Sequence, residues 1–141
     1  MILLVDDDRR TQHYQDELEY EGYKVYLQTN VDDAWRFFNK HINEIDLLVL
    51  DIVMPPGNSL KRYDTKQGRR TGVLFYDRIR KKAPDIPIII LTVLDDDDIV
   101  KKFSMETGCW YYHKQQCLPY DLVQIIEKIV GRTKRIQRRG E

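Results

Sequence analysis

The sequence predicts an α/β fold, a doubly wound parallel sheet of five strands with helices on both faces. Three observations lead there. Short runs that are apolar throughout, such as Ile2-Leu3-Leu4-Val5, Leu47-Leu48-Val49-Leu50 and Ile86 to Leu91, read as strands buried on both faces. Between them lie stretches whose apolar residues recur three and four apart, the period of an amphipathic helix. The connections are mostly too short for anything but alternating layers, which implies right-handed crossovers with helices on both faces.

The elements follow in order. Ile2 to Val5 is the first strand, and it ends in Asp6-Asp7-Asp8. A helix from Arg9 to Tyr20 has a narrow apolar stripe, Tyr14 and Leu18, with Gly22 as its C-terminal stop. Tyr23 to Leu27 alternates and reads as the second strand. Asn30 is a good N-cap, and Val31, Ala34, Trp35 and Phe38 then share one helix face. The third strand ends on Asp51. Residues 52–70 show no clear period and carry Pro55, Pro56, Gly57 and Gly68. Loops beyond about 12–15 residues are uncommon in compact domains, so the extended loop at 55–70 stands out. A helix resumes with Gly72, Phe75, Tyr76 and Ile79 and stops before Pro84. Ile86 to Leu91 is the most apolar strand, with Pro87 near its start, where a missing amide donor is tolerated. It ends on Thr92. Asp95 to Asp98 open a helix carrying Ile99, Val100 and Phe103, closed by Gly108; acids at a helix start are favoured by the macrodipole and need no metal. Trp110 to His113 is the fifth strand and ends at Lys114. Pro119 begins the last helix, with Leu122, Ile125, Ile126 and Ile129 as its buried stripe.

One domain is expected over residues 1–131, followed by a basic tail or linker over 132–141. Lys+Arg and Asp+Glu both number 23, so no global charge points to nucleic acid or to an acidic substrate. Cys109 and Cys117 lack CxxC spacing and fit reduced thiols. The first strand begins at Ile2, leaving no room for a signal peptide, and no apolar run approaches the roughly 18 residues of a membrane span. A cytoplasmic protein without a membrane segment is the expectation.

Four strands end on complementary polar groups: acids after the first, Asp51 after the third, Thr92 after the fourth and Lys114 after the fifth. In a parallel sheet all of these project from one edge. Carboxylates so close together repel and raise one another's pKa values unless a cation sits among them. Oxygen ligands without His or Cys suit Mg²⁺ better than zinc. An acid, a metal, a hydroxyl and an ammonium are the parts a phosphoryl group needs.

With these residues in view, the sequence resembles the receiver domain of the bacterial two-component response regulator family. The likeness runs from Ile2 to Val130 and is carried by Ile2 to Asp8, Leu47 to Asp51 with Met54-Pro55, Thr71-Gly72, Ile86 to Thr92, Gly108 and Tyr111 to Lys114. The resemblance implies a doubly wound sheet in the strand order 2-1-3-4-5, as in flavodoxin-like proteins, and a signalling domain, not a conventional enzyme, that assists its own phosphorylation and dephosphorylation. Asp51 is then the phosphoacceptor for a sensor histidine kinase or phosphotransfer protein. Asp7 and Asp51 bind Mg²⁺ with the backbone carbonyl of Val53, and Asp6 acts largely through water. Thr92 and Lys114 bond the phosphoryl oxygens. Tyr111 turns inward as the Thr92 hydroxyl moves, repacking the face made by the fourth helix, fifth strand and fifth helix (the α4-β5-α5 face), through which partners, effectors or a second copy bind.

The sequence departs from the family in three places. Gln115 follows Lys114 where a proline in a cis peptide is usual, Val93 follows Thr92 where a small residue is common, and the loop before Gly72 is about a dozen residues longer than usual. That loop carries Lys61, Arg62, Lys66, Arg69 and Arg70 against Asp64; it reads first as a solvated insertion, with a partner contact as the sharper reading. Two competing functions stand beside the switch. A haloacid dehalogenase-like phosphatase is imitated by Asp6-x-Asp8, but Arg9 and Arg10 follow and no cap has room. A non-phosphorylated pseudo-receiver scaffold is the other, opposed by the intact set of Asp6, Asp7, Asp51, Thr92 and Lys114. Arg132, Lys134, Arg135, Arg138 and Arg139 read as a linker to an effector domain or as a ragged end, with no direct nucleic-acid binding inferred.

Overall fold

The computed structural model describes residues 1–140, with side chains through Gly131. The basic segment Arg132 to Arg139 therefore lies outside the residues whose side chains are described. Among the described residues twelve elements follow one another: β1 (Ile2–Val5), α1 (Thr11–Tyr20), β2 (Val25–Gln28), α2 (Val31–Lys40), β3 (Leu47–Leu50), α3 (Gly57–Leu60), α4 (Thr71–Lys82), β4 (Ile88–Thr92), α5 (Asp97–Ser104), β5 (Cys109–His113), a 3-10 turn (Lys114–Gln116) and α6 (Pro119–Gly140). The strands form one parallel sheet in the order β2-β1-β3-β4-β5. Since α3 is a single inserted turn, the face expected from the fourth helix, fifth strand and fifth helix is α5-β5-α6.

The three central strands, β1, β3 and β4, face a helix layer on both sides, which is why their residues are buried throughout and show no alternation. Leu3, Val5, Leu48, Leu50, Ile88 and Ile90 pack with Phe38, Phe75, Ile79 and Phe103 from α2, α4 and α5. Ile2, Leu4, Leu47, Val49, Ile89 and Leu91 pack on the other face with Leu18, Leu122 and Ile126 from α1 and α6. The order of β1 and β3 creates a reversal in the winding. Val5 pairs with Leu50 in register, and the Asp51 N–H donates to the Val5 carbonyl at 3.0 Å. The residues after β1 and β3 are thereby held side by side at the carboxyl edge, where open α/β sheets collect ligands.

Several boundaries differ from the periodicity. β2 starts at Val25, because the Tyr23 N–H donates to the Leu18 carbonyl and closes the turn after α1. β4 starts at Ile88: Pro87 has no N–H and contributes only its carbonyl, accepting from Leu48 at 3.0 Å. α5 stops at Ser104 and turns its way to Gly108. α6 departs from helical backbone at Gly131, where φ is 81°.

The aperiodic stretch 52–70 is the largest difference. It folds as α3 and a run of turns, with Lys66, Gln67 and Gly68 all in the left-handed region. Leu60 is buried at 3% exposure in the α2/α4/α5 core, and Thr65 is buried too. Asp32 of α2 accepts from the Asn58 and Ser59 N–H groups at 2.8 and 2.9 Å, satisfying donors at the start of α3. At the other end Arg69 and Arg70 reach Asp96 and Asp98 at the start of α5. The stretch is packed at its centre and pinned at both flanks, more than a solvated insertion requires.

Candidate functional site

Asp51 leaves β3 with its side chain buried at 4% exposure. Its Oδ1 accepts from the Ile52 N–H at 2.8 Å and from the Val53 N–H at 3.4 Å, so one oxygen is fixed by its own turn. Its Oδ2 faces the Lys114 ammonium at 3.3 Å. The backbone beneath is held by Gly72, whose N–H donates to the Ile52 carbonyl at 2.8 Å. A Cβ at Gly72 would stand 2.3 Å from the Asp51 carbonyl oxygen, so only glycine lets α4 approach this closely.

Asp6 is equally buried, and its Oδ1 accepts from the Asp8 N–H at 2.9 Å while its Oδ2 meets Lys114 at 2.7 Å. Asp7 is exposed. Carboxylate oxygens of Asp6, Asp7 and Asp51 nonetheless all lie within 4.8 Å of one another. Burial, and then the Asp6 charge, push the Asp51 carboxyl up to about 6, against the opposing pull of Lys114, the Thr92 hydroxyl and the Val53 N–H. Burial and Asp6 also raise Asp7. For Lys114 burial works against the charge, but Asp51 and Asp6 outweigh it and the ammonium is held more firmly protonated than usual. Three acids against one lysine leave a negative excess, and the donors are all hard oxygens. The set fits a divalent cation of the Mg²⁺ kind.

Thr92 is fully buried; its Oγ1 accepts from the Leu94 N–H at 3.4 Å and also favours the ionised form of Asp51. Tyr111 lies one strand over, in register with Ile90, with its ring against the α2/α4/α5 core and its hydroxyl buried without a protein partner. Val53 is half-buried against the same core, Leu94 is buried, and Val93 is 49% exposed at the rim. The structure thus brings Asp6, Asp7, Asp51, Thr92 and Lys114 to one edge, with Val53 and Tyr111 adjoining. Beside them opens a cleft of about 290 Å³ whose walls include Arg10, Tyr14, Val93 and Gln115.

Asp8 belongs to a different pair. Arg10 forks onto it through Nε and a terminal nitrogen at 3.1 and 2.7 Å, which holds its carboxyl near 2. Asp8 is thus committed to Arg10 and is not a free second acid beside Asp6.

Sequence reasoning missed two contributors. Tyr14 donates to the Cys117 carbonyl at 2.5 Å and ties α1 to the loop after β5. His113, read as the last residue of a strand and as part of the Tyr111 to Lys114 run, bonds two loops of the site; the signal was a histidine beside Lys114 where no proline follows. Among the described residues no peptide bond is cis, and the loop after Lys114 turns through the 3-10 segment instead.

Residues 2–127 match the response regulator receiver domain family. The response regulator SaeR of Staphylococcus aureus is 31% identical over 136 residues, covering 95% of this chain and 52% of its own length. The chain thus spans about half the length of that curated relative. A receiver domain protein from Clostridium thermocellum has a similar structure, with TM-score 0.73 and 27% identity over 94% of this chain and 95% of its own. A two-component response regulator from Clostridium difficile shares the fold, with TM-score 0.72, 22% identity, and 92% and 93% coverage. No described helix is long and apolar enough to cross a membrane. This chain belongs to the response regulator receiver domain family of two-component signalling.

Proposed function

We propose that Asp51 accepts a phosphoryl group from the phosphohistidine of a sensor kinase or phosphotransfer protein. The observation that carries this is the buried Asp51 carboxylate, with one oxygen fixed by backbone N–H groups and the other facing Lys114. An Asp51 oxygen forms the new O–P bond as the donor's N–P bond breaks, and the electron pair leaves with the imidazole. Lys114 and the Thr92 hydroxyl take the phosphoryl oxygens; Asp7 and Asp51 with the Val53 carbonyl would hold Mg²⁺, with Asp6 acting largely through water. That ion would supply charge neutralisation for the transferring group.

The switch follows from Thr92 and Tyr111. Drawing the Thr92 hydroxyl to a phosphoryl oxygen leaves room beside it, and the Tyr111 ring turns inward to fill that room. The Tyr111 hydroxyl is buried without a partner, which costs about 1–3 kcal/mol, so its present position is open to bias by a local event. The surface repacked is α5-β5-α6, the face for partner binding, homodimer formation or control of a C-terminal effector domain. The setting is cytoplasmic, with no direct nucleic-acid contact by this domain.

The test is incorporation of phosphate from phosphoramidate with Mg²⁺, read as a hydroxylamine-sensitive adduct. Wild type should label and Asp51→Asn should not; labelling of Asp51→Asn at the wild-type rate refutes the assignment.

A further inference from the structure

The loop that carries Lys114 is held at both ends. Its far end is tied by Tyr14 to the Cys117 carbonyl and by the Leu118 N–H to Asp121 at 2.9 Å. At the near end stands His113, in register with Thr92 across the last strand pair. Its Nε2 lies 2.9 Å from the Val93 carbonyl, and its Nδ1 lies 3.1 Å from the Gln115 N–H. A carbonyl oxygen can only accept and a peptide N–H can only donate. Both contacts are therefore satisfied by one species, the neutral imidazole with its proton on Nε2. A histidine solvated at the surface has no reason to meet a donor and an acceptor at bonding distance on opposite sides of its ring.

We infer that His113 is a positioning residue for phosphoryl uptake: its imidazole ties the loop after Thr92 to the turn that begins at Lys114, fixing where the ammonium stands relative to Asp51. The inference rests on the reading of Asp51 as phosphoacceptor. Lysine is a long side chain with large rotamer freedom, and its aim depends on a fixed base. His113 fixes that base twice. It caps the 3-10 turn whose first residue is Lys114, and it anchors the cap to the backbone immediately after Thr92. The two groups proposed to bind phosphoryl oxygens are thus set at a constant separation by a side chain that touches neither the phosphoryl group nor the metal ligands. The same bond holds Val93 and Gln115 as one wall of the cleft. Misplacement by about 1 Å in such an arrangement is enough to slow transfer substantially.

Wild type, His113→Phe and His113→Asn are compared for the rate of label uptake from phosphoramidate at saturating Mg²⁺, with Mg²⁺ affinity measured on each. Phenylalanine keeps the ring and loses both bonds; the asparagine Oδ1 takes the place of Nδ1 and can still accept from Gln115. Uptake should slow about tenfold or more in His113→Phe, which loses two hydrogen bonds of modest net worth each. Mg²⁺ affinity should stay within about twofold, since no proposed ligand is touched. His113→Asn keeps the cap and loses the bond to Val93, so its rate should fall between those of wild type and His113→Phe, and nitrogen NMR of wild type should show His113 protonated at Nε2 only. Equal uptake by wild type and His113→Phe overturns the inference, as does His113→Asn matching wild type, or an imidazole protonated at Nδ1. If wild type takes up no label, the phosphoacceptor reading fails and the inference falls with it; label that is indifferent to His113 removes the inference only.

Discussion

Lys114 and Asp6 form the closer of the two buried ion pairs at the site, at 2.7 Å, against 3.3 Å from Lys114 to Asp51. One ammonium thus stands among acids that a divalent cation would also neutralise. Lys114→Met removes that competing charge, and Mg²⁺ should bind several-fold more tightly, as read by calorimetry. Phosphoryl uptake should fall by about 100-fold or more, because a preorganised donor to the transferring group is lost. Weaker Mg²⁺ binding in Lys114→Met would show that the lysine supports the acid cluster and does not compete for it.

The raised Asp51 carboxyl makes a prediction about stability. A carboxyl that titrates near 6 in the folded chain but near the ordinary 3.8 when unfolded is held protonated by the fold. Above about pH 6 both states are ionised and the buried charge costs its full amount; as pH falls through 6 towards 3.8 the folded state takes up the proton first and the cost is relieved. Asp51→Asn should therefore be more stable than wild type at pH 7.5, by about 1–3 kcal/mol in denaturant melts without Mg²⁺. The gap should narrow as pH is lowered from 6 to 4, and Mg²⁺ should stabilise wild type more than the variant. A gap that widens on acidification would mean that Asp51 is held ionised by Lys114 more strongly than burial opposes it.

The sheet and the edge were legible because both rest on local pattern. Leu47 to Leu50 can be a strand only if both faces are covered, and parallel strands deliver Asp6, Asp51, Thr92 and Lys114 to one edge. The bonds that fix those side chains depend on register and loop path, which periodicity does not encode. Nothing in the spacing says that Asp8 is drawn off by Arg10 while its N–H secures Asp6. The role of His113 needs the pairing of β4 with β5, and that of Asp32 needs the inserted stretch to turn back across α2. Leu60 is the sharpest example, one apolar residue in a polar loop that gives no period yet sits in the core.

That leucine sets an expectation for the insertion. Leu60→Ala removes a fully packed side chain and should cost about 2–4 kcal/mol. The Arg69 and Asp96 side chains are 56% and 37% exposed, so Arg69→Ala should cost no more than about 0.5 kcal/mol. Urea melts decide the matter. A small loss in Leu60→Ala together with a large one in Arg69→Ala would mean that the stretch is held by its charged flank and not by its core contact.

Val53, Val93 and Leu94 bear on how long the phosphorylated form lasts. Hydrolysis of an acyl phosphate needs a water aligned behind phosphorus, and a polar side chain at the rim can orient one. Val53 is packed against the core, Leu94 is buried, and Val93 stands at the mouth of the cleft; none can bond to water through its side chain. The phosphorylated form should be long-lived, and Val53→Asn should shorten its lifetime by about tenfold by placing an amide beside the attack path. Loss of label from purified protein in Mg²⁺ measures this directly. Val53 itself is only half-buried, so the substitution should leave the fold intact and the comparison clean. Equal decay in Val53→Asn and wild type would assign the lifetime to the exclusion of water by Val93 and Leu94, and Val93→Ala should then be the variant that decays faster.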